Sequence, residues 1–239
     1  MGRADLHVHT TASDGMMSPA MVLNYVSVNT SLTVLAITDH NAMEGWEIAR
    51  EFAARPENDH LAELTLVPGV EVSSRDGHII ALFVERLIPR GMSAAETILA
   101  IHEQGGLALA AHPFAWLPGL SEFSGAGAMF VDHDFDAVEV RNSTPTEWMN
   151  NWRTQRLNRR QKKPKPEYGG SDAHFLWAIS KTWTDFPGEG AEALRRALVN
   201  GTSRAGGVTW GPWSLLQYYR DRRQWRRYCA QHRVRLHDL

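Results

Sequence analysis

Short apolar runs, each ending in a residue with metal-binding chemistry, recur along the first three quarters of this 239-residue chain. The first is Ala4-Asp5-Leu6-His7-Val8-His9-Thr10, which alternates with period two. As a strand it puts Leu6 and Val8 on one face and His7 and His9 on the other. Ser13-Asp14-Gly15 then turns the chain and supplies a carboxylate. Residues 32–37 form an apolar run ending in Thr38-Asp39-His40, and residues 64–67 lead through Pro68-Gly69 to Val70-Glu71-Val72. Gly77-His78 opens the run 79–84, and the run 107–111 ends in His112-Pro113. Ala137-Val138-Glu139-Val140 is apolar around one carboxylate, and Gly169-Gly170 precedes Ser171-Asp172-Ala173-His174.

Helix-like segments lie between these runs. Ser18 caps a helix with Pro19 at its first position. Residues 43–54 carry the apolar stripe Trp46, Ile48, Ala49, Phe52 and Ala53. Ser93-Ala94-Ala95-Glu96 is a capping-box pattern, and Gly105-Gly106 ends its helix. Residues 146–161 and 189–200 are further candidates, the second closed by Gly201. This alternation predicts a parallel sheet with helices outside. The chemically competent residues fall at the C-terminal ends of strands, where α/β barrels carry their sites. His7 and His9 are the exception, since both are expected within the first strand. The barrel is expected over residues 1–207. Residues 208–239 are expected to be a helical appendage packed on its outside, docked by Trp210, Trp213, Tyr218, Tyr219 and Trp225. Leu215, Leu216, Tyr219, Arg223 and Arg226 fall at helical spacing within 213–233.

A buried carboxylate or imidazole is costly unless it is paired or bound to a metal. A whole series at strand ends therefore points to one multi-metal site. Composition narrows the chemistry further. Cys229 is the single cysteine, so the ligands must be imidazole and carboxylate, and a reducing cytoplasm is expected. The chain is 43% hydrophobic and 22% charged, as in a globular domain with a sizeable core. No apolar stretch reaches the roughly 20 residues of a membrane span. The first motif comes within seven residues, so no signal peptide is expected. The net charge of −2 hides two basic stretches, 153–165 without an acidic residue and 220–235 with Asp221 alone. A solvated helix face is the favoured reading of both, ahead of a nucleic-acid surface.

Seven motifs resemble those of the polymerase and histidinol phosphatase (PHP) superfamily of metallohydrolases: DLHVHTTASDG at 5–15, ITDHNA at 37–42, GVEVS at 69–73, GHIIAL at 77–82, AHP at 111–113, AVEV at 137–140 and GGSDAH at 169–174. They occur in family order. The resemblance implies a distorted (β/α)7 TIM-like barrel with two or three divalent metal ions in its mouth. It implies that His7, His9 and Asp172 hold one ion, with Glu71 bridging to a second completed by His78 and His112. Asp14, His40 and His174 would hold the third. Such ligands suit Mn, Zn or Fe.

Ions of this kind lower the pKa of bound water and neutralise phosphoryl charge, so hydrolysis of a small phosphorylated metabolite or nucleotide is the leading expectation, with Glu71 and Asp172 central. Two alternatives remain: hydrolysis of a non-phosphate ester or carbamate, and a nucleic-acid-associated module of the kind attached to DNA polymerases. Arg141, with its neighbour Asn142, and Arg75 are the candidate phosphate contacts, Arg141 by forked hydrogen bonding. Asp39 is expected either to orient an imidazole or to cap a turn.

Overall fold

The computed structural model describes residues 1–115 and 125–232, without the side chains of Pro212, Leu215, Arg226 and residues 228–232. The expectations for Leu215, Arg226, Cys229 and the arginines beyond 232 therefore lie outside the described residues.

The elements follow in the order β1 (Gly2–Asp5), α1 (Pro19–Asn29), β2 (Val34–Ile37), α2 (Glu44–Ala53), β3 (Thr65–Ser74), β4 (Gly77–Leu82), α3 (Ala94–Glu103), β5 (Leu107–Ala110) and β6 (Ala137–Asn142). After these come α4 (Trp148–Arg159), β7 (Glu167–Gly170), β8 (Thr182–Phe186), α5 (Gly190–Asn200), β9 (Arg204–Gly207) and α6 (Pro212–His232). The helix signals act as read. Ser18 accepts from the Met21 N–H, Ser93 and Glu96 form the reciprocal capping box, and Gly201 takes the left-handed conformation that ends α5.

The strands form one sheet in the order β7-β6-β5-β4-β3-β2-β1-β8-β9. Its ends curl together into a barrel. Thr184 Oγ1 on β8 accepts from Gly169 N on β7 (3.0 Å) and donates to Gly169 O (2.8 Å). Beyond the strand ends Val8 bridges Ala173 in parallel, with His9 N donating to Ala173 O at 2.9 Å. Gly170 is required at this seam, because a Cβ there would press on the His7 Cβ and the Glu139 carboxylate.

The sheet is mixed, which corrects the parallel expectation. β3 and β4 form a direct hairpin, so β4 runs antiparallel to both neighbours, and β8 and β9 are also antiparallel. The reversal explains why His78 sits at the start of its strand while Glu71 lies late in β3 and His7, His40, His112 and Asp172 follow the ends of theirs. β8 and β9 were not foreseen. β9, Arg-Ala-Gly-Gly, has no apolar alternation and is recognisable only by its pairing.

The inward positions sort by height. Ala4, Leu6, Val34, Ala36, Val67, Ile80, Leu82, Leu107, Leu109 and Tyr168 form the interior core, with Leu194 and Leu198 of α5 packed onto it. Further along the same strands the inward series continues as Glu71, His78 and Glu139. Val70, Val72, Ile79, Ala81, Ala108 and Val138 instead belong to the outer core, which includes Ala94, Ile98 and Ile101 of α3. The first strand departs from strict alternation. β1 ends at Asp5, and Leu6 joins the interior core while Val8 packs with Val22, Leu23 and Val26 of α1. This shift of phase leaves His7 and His9 on one side, as expected, but beyond the strand and not within it.

Candidate metal centre

Nine residues expected to bind metal converge at the barrel mouth. Their ligand-type atoms fall into four overlapping groups: His7, His9 and Asp172; His7, Glu71 and His112; His40, Glu71 and His78; and His9, Asp14, His40 and His174. The residues of the expected first and third sets stand together, with His9 beside the third. The expected second set appears as two triples sharing Glu71.

Glu71 is fully buried and lies at the centre. Its Oε2 faces His7 Nε2 (3.1 Å), His9 Nε2 (3.1 Å) and His40 Nδ1 (3.3 Å), and its Oε1 faces His78 Nδ1 (3.0 Å) and His112 Nε2 (3.1 Å). Asp172 Oδ1 stands 3.5 Å from His7 Nε2 and 3.3 Å from His9 Nε2. Asp14 Oδ2 is 3.1 Å from His174 Nε2 and 3.9 Å from His40 Nε2. Two donors bound to one ion at about 2.0–2.2 Å, subtending about 90–110°, are separated by roughly 2.8–3.6 Å. Most of the contacts fall in that range.

These residues fit a cation better than they fit one another. Both ring nitrogens of His9, and Nδ1 of His40, His78 and His112, are buried without a hydrogen-bond partner among the described residues. Such atoms are rare in folded proteins because each costs desolvation energy. Lone pairs aimed at a shared point satisfy that cost if a divalent ion stands there. The backbone is also strained at the site, with φ of 52° at Asn41, 23° at His112 and 54° at Asp172.

A buried polar frame orients the ligands. Glu139 Oε1 accepts from His7 Nδ1 (3.1 Å), which leaves the His7 Nε2 lone pair facing Glu71 and Asp172. Glu139 Oε2 accepts from His112 N (2.8 Å) and from Asn142 Nδ2 (3.1 Å). His174 Nδ1 donates to Asp172 O (3.0 Å), so its Nε2 faces Asp14. Asp5 accepts from Ser171 N and Ser180 N, both at 2.9 Å, which anchors the segment carrying Asp172. Burial pushes the Asp5 carboxyl up to about 6, against those hydrogen bonds. Asp39 holds the loop bearing Asp14: its carboxylate accepts from Thr10 N (2.7 Å), Thr10 Oγ1 (2.7 Å) and Ser13 Oγ (2.6 Å). Asp39 is expected to orient an imidazole or to cap a turn; its carboxylate hydrogen bonds go to the turn at Thr10 and Ser13, far from it in sequence, and none among the described residues goes to an imidazole.

The expected phosphate contacts fare differently. A bulge between Glu139 and Arg141 shifts the phase of β6, turning Asn142 inward and leaving Arg141 exposed, outside the cluster. Both amide hydrogens of Asn142 are engaged, by Glu139 and by Asp172 Oδ2 (3.1 Å), so it braces the site and has no N–H left for a phosphate. Arg75 stands on the β3–β4 turn, exposed and 3.8 Å from Glu96. Sequence reasoning gave no role to Asp5 and did not see Glu139 as the brace. The signal available was their inward parity with His7, which the phase shift after β1 obscured.

The bracing geometry yields a first prediction. Glu139→Gln cannot accept from both His7 Nδ1 and His112 N, because one of its two terminal atoms is now a donor. Metal affinity should fall roughly 10–100-fold, measured by competition with a chromophoric chelator. An unchanged affinity would deny Glu139 this role.

Electrostatics gives a second. Burial disfavours charge on His9, but Asp172 and Glu71 outweigh it and raise the imidazole to about 10. His112 is raised against burial to about 9 by Glu71. Burial drives His40 the other way, to about 4. Glu71 and Asp172 are held well below the ordinary carboxylate range: burial opposes this, and the surrounding histidines overcome it. For His9 and His112 the folded value exceeds the unfolded one, near 6.5. Their stabilisation of the metal-free protein is complete below pH 6.5 and is lost as pH rises through about 9 to 10. Metal binding requires neutral imidazole and displaces those protons, so it strengthens over the same interval. The melting temperature of metal-free protein should fall from pH 6.5 to 9, while the increment produced by Mn grows. Parallel curves with and without Mn would contradict this.

A family model described as PHP-associated matches residues 149–203. An uncharacterized protein of Methanocaldococcus jannaschii is 35% identical over 156 residues, covering 59% of this chain and 82% of its own length. The 5'-3' exoribonuclease Rnm of Salmonella typhimurium is 40% identical over 85 residues, 34% of this chain and 27% of the exoribonuclease. Among solved structures, a two-domain protein from Bacteroides vulgatus containing a predicted PHP-like metal-dependent phosphoesterase superposes with a TM-score of 0.63 at 18% identity. That match covers 86% of this chain and 64% of the other. No helix among the described residues is long and apolar enough to cross a membrane.

Proposed function

This chain belongs to the PHP superfamily of metal-dependent hydrolases, and from that premise we propose that its mouth hydrolyses a phosphoester of a small phosphorylated metabolite or nucleotide. The observation that carries the reading is Glu71, whose two oxygens face two separate sets of imidazole nitrogens. We assign His7, His9 and Asp172 to one ion, His78 and His112 to a second joined to it by Glu71, and Asp14, His40 and His174 to a third. Mn, Zn and Fe all suit this mixed imidazole and carboxylate donor set. Bound divalent cations supply Lewis-acid charge at phosphoryl oxygen and make water a competent nucleophile at neutral pH.

The chain's own part is positioning. Glu139 holds the proton on His7 Nδ1, Asp172 O holds the proton on His174 Nδ1, and Asp39 fixes the loop that presents Asp14. A groove of about 790 Å3 lined by Thr11, Met16, Phe175, Trp177 and Trp225 lies beside this loop and directly after His174. It offers apolar and aromatic walls to the organic part of a substrate whose phosphate is at the mouth. The likeness to an exoribonuclease over 85 residues supports a nucleotide phosphoester in particular.

Full-length Mn-loaded protein should hydrolyse p-nitrophenyl phosphate or its diester far faster than p-nitrophenyl acetate. The reverse preference would assign the site to carbonyl esters or carbamates.

A further inference from the structure

α4 is inverted relative to an ordinary amphipathic helix. Its buried residues are polar: Asn151, Thr154 and Asn158. Asn151 is tied to the Asn142 backbone by two hydrogen bonds of 2.9 Å, and Asn158 bonds Lys165 O at 2.9 Å and Lys165 N at 2.8 Å. Its outer face carries Trp148, Met149 and Trp152, which remain 63%, 60% and 61% exposed. A surface helix gains stability by burying its apolar residues. Folding therefore gives no account of two exposed tryptophans on a helix that buries asparagine. Contiguous exposed apolar surface rimmed by polar groups marks a contact site.

Cations are interleaved with these rings. The Arg156 guanidinium lies 5.0 Å over Trp152, and that of Arg153 lies 3.9 Å over Phe114, two residues beyond His112. Among the described residues neither arginine forms an ion pair, whereas Arg159 is paired with Glu167 at 2.9 Å. From Trp148 to Pro166 the chain has no acidic residue. The helix adjoins the site: its buried Asn151 is bonded to Asn142, whose amide holds Asp172, and Arg153 lies over Phe114 in the segment that follows His112.

We propose that this face of α4 is a track for single-stranded nucleic acid, with bases stacking on Trp148 and Trp152 and phosphates meeting Arg153 and Arg156. The idea rests on the phosphoester reading, because the track would bring a strand to the metal centre. Aromatic platforms flanked by cations suit single strands of any sequence, since every base has a π-face. Charge decides against the other occupant of such a surface, a second copy of the chain. Two copies joined through α4 would bring like-charged arginines together, whereas a polyanion neutralises them.

The test is fluorescence anisotropy of a fluorescein-labelled, phosphorothioate-linked oligodeoxythymidine of about twelve nucleotides, a probe that resists cleavage. It is titrated with full-length Mn-loaded protein. The Trp148→Ala/Trp152→Ala protein should bind at least about tenfold more weakly, and Trp148→Phe/Trp152→Phe should recover most of the affinity. Arg153→Gln/Arg156→Gln should flatten the log–log salt slope by about 1.4, at about 0.7 per phosphate contact. Turnover of p-nitrophenyl phosphate should be unchanged in all three. Equal oligonucleotide affinity in wild type and the double alanine protein overturns the proposal. So does a wild-type dimer that the double alanine substitution dissolves while neither protein binds the probe. A wild type inert toward both p-nitrophenyl phosphate and its diester would sink the phosphoesterase reading, yet the binding contrast would still decide this one.

Discussion

Glu71→Gln should lower phosphoester turnover by about a thousandfold or more while leaving the barrel folded. The effect is large because one side chain serves both halves of the centre: Oε2 faces His7, His9 and His40, and Oε1 faces His78 and His112. Removing one preorganised group from a catalytic site costs about 10²–10³ in rate, and here the group also joins two ion sites. The amide keeps the shape of the carboxylate but carries no negative charge, and its NH2 end has no lone pair to offer a cation. Metal content should fall with activity. In metal-free protein the substitution also leaves buried imidazoles without their counter-charge, and breaking a buried pair destabilises by about 3–5 kcal/mol. Wild-type turnover with full metal content in Glu71→Gln would remove Glu71 from the centre.

Asp172→Asn should cost about a hundredfold to a thousandfold, for a narrower reason. Asp172 Oδ1 reaches His7 and His9 but not His78, and Oδ2 is held by Asn142 Nδ2. Its left-handed backbone, with φ of 54°, is one that asparagine tolerates better than most residues, so the fold should survive. The variant should lose the ion shared with His7 and His9 and retain the rest. Complete loss of bound metal would show that the clusters fill only together.

The ligands were legible in the sequence because barrel geometry maps inward parity and strand ends onto one mouth. His7, Glu71, His112 and Asp172 lie far apart in the chain, yet each ends or continues an inward apolar series. The topology was less legible. Parity does not report strand direction, so the antiparallel β4 hairpin could not be told from a parallel strand, although its direction is what brings His78 to the site. Arg141 was misplaced by a single-residue bulge, a feature set by pairing with β7 and without a sequence mark of its own. Glu139 and Asp39 lie within recognised motifs, but their work depends on partners more than 25 residues away. The appendage was read as docking outside the barrel. α6 rests against the segment following His174, through Tyr218 on Phe175 and Trp177 Nε1 donating to Asp221 (2.9 Å), while two of the expected docking residues, Trp213 and Tyr219, stay exposed.

The most direct test of the metal-centre account is phosphate release measured against bound metal in chelator-stripped, full-length protein titrated with Mn. The account predicts negligible turnover in the stripped protein, a rise with metal content, and a plateau at two or three ions per chain. Full turnover in protein retaining almost no metal would contradict it.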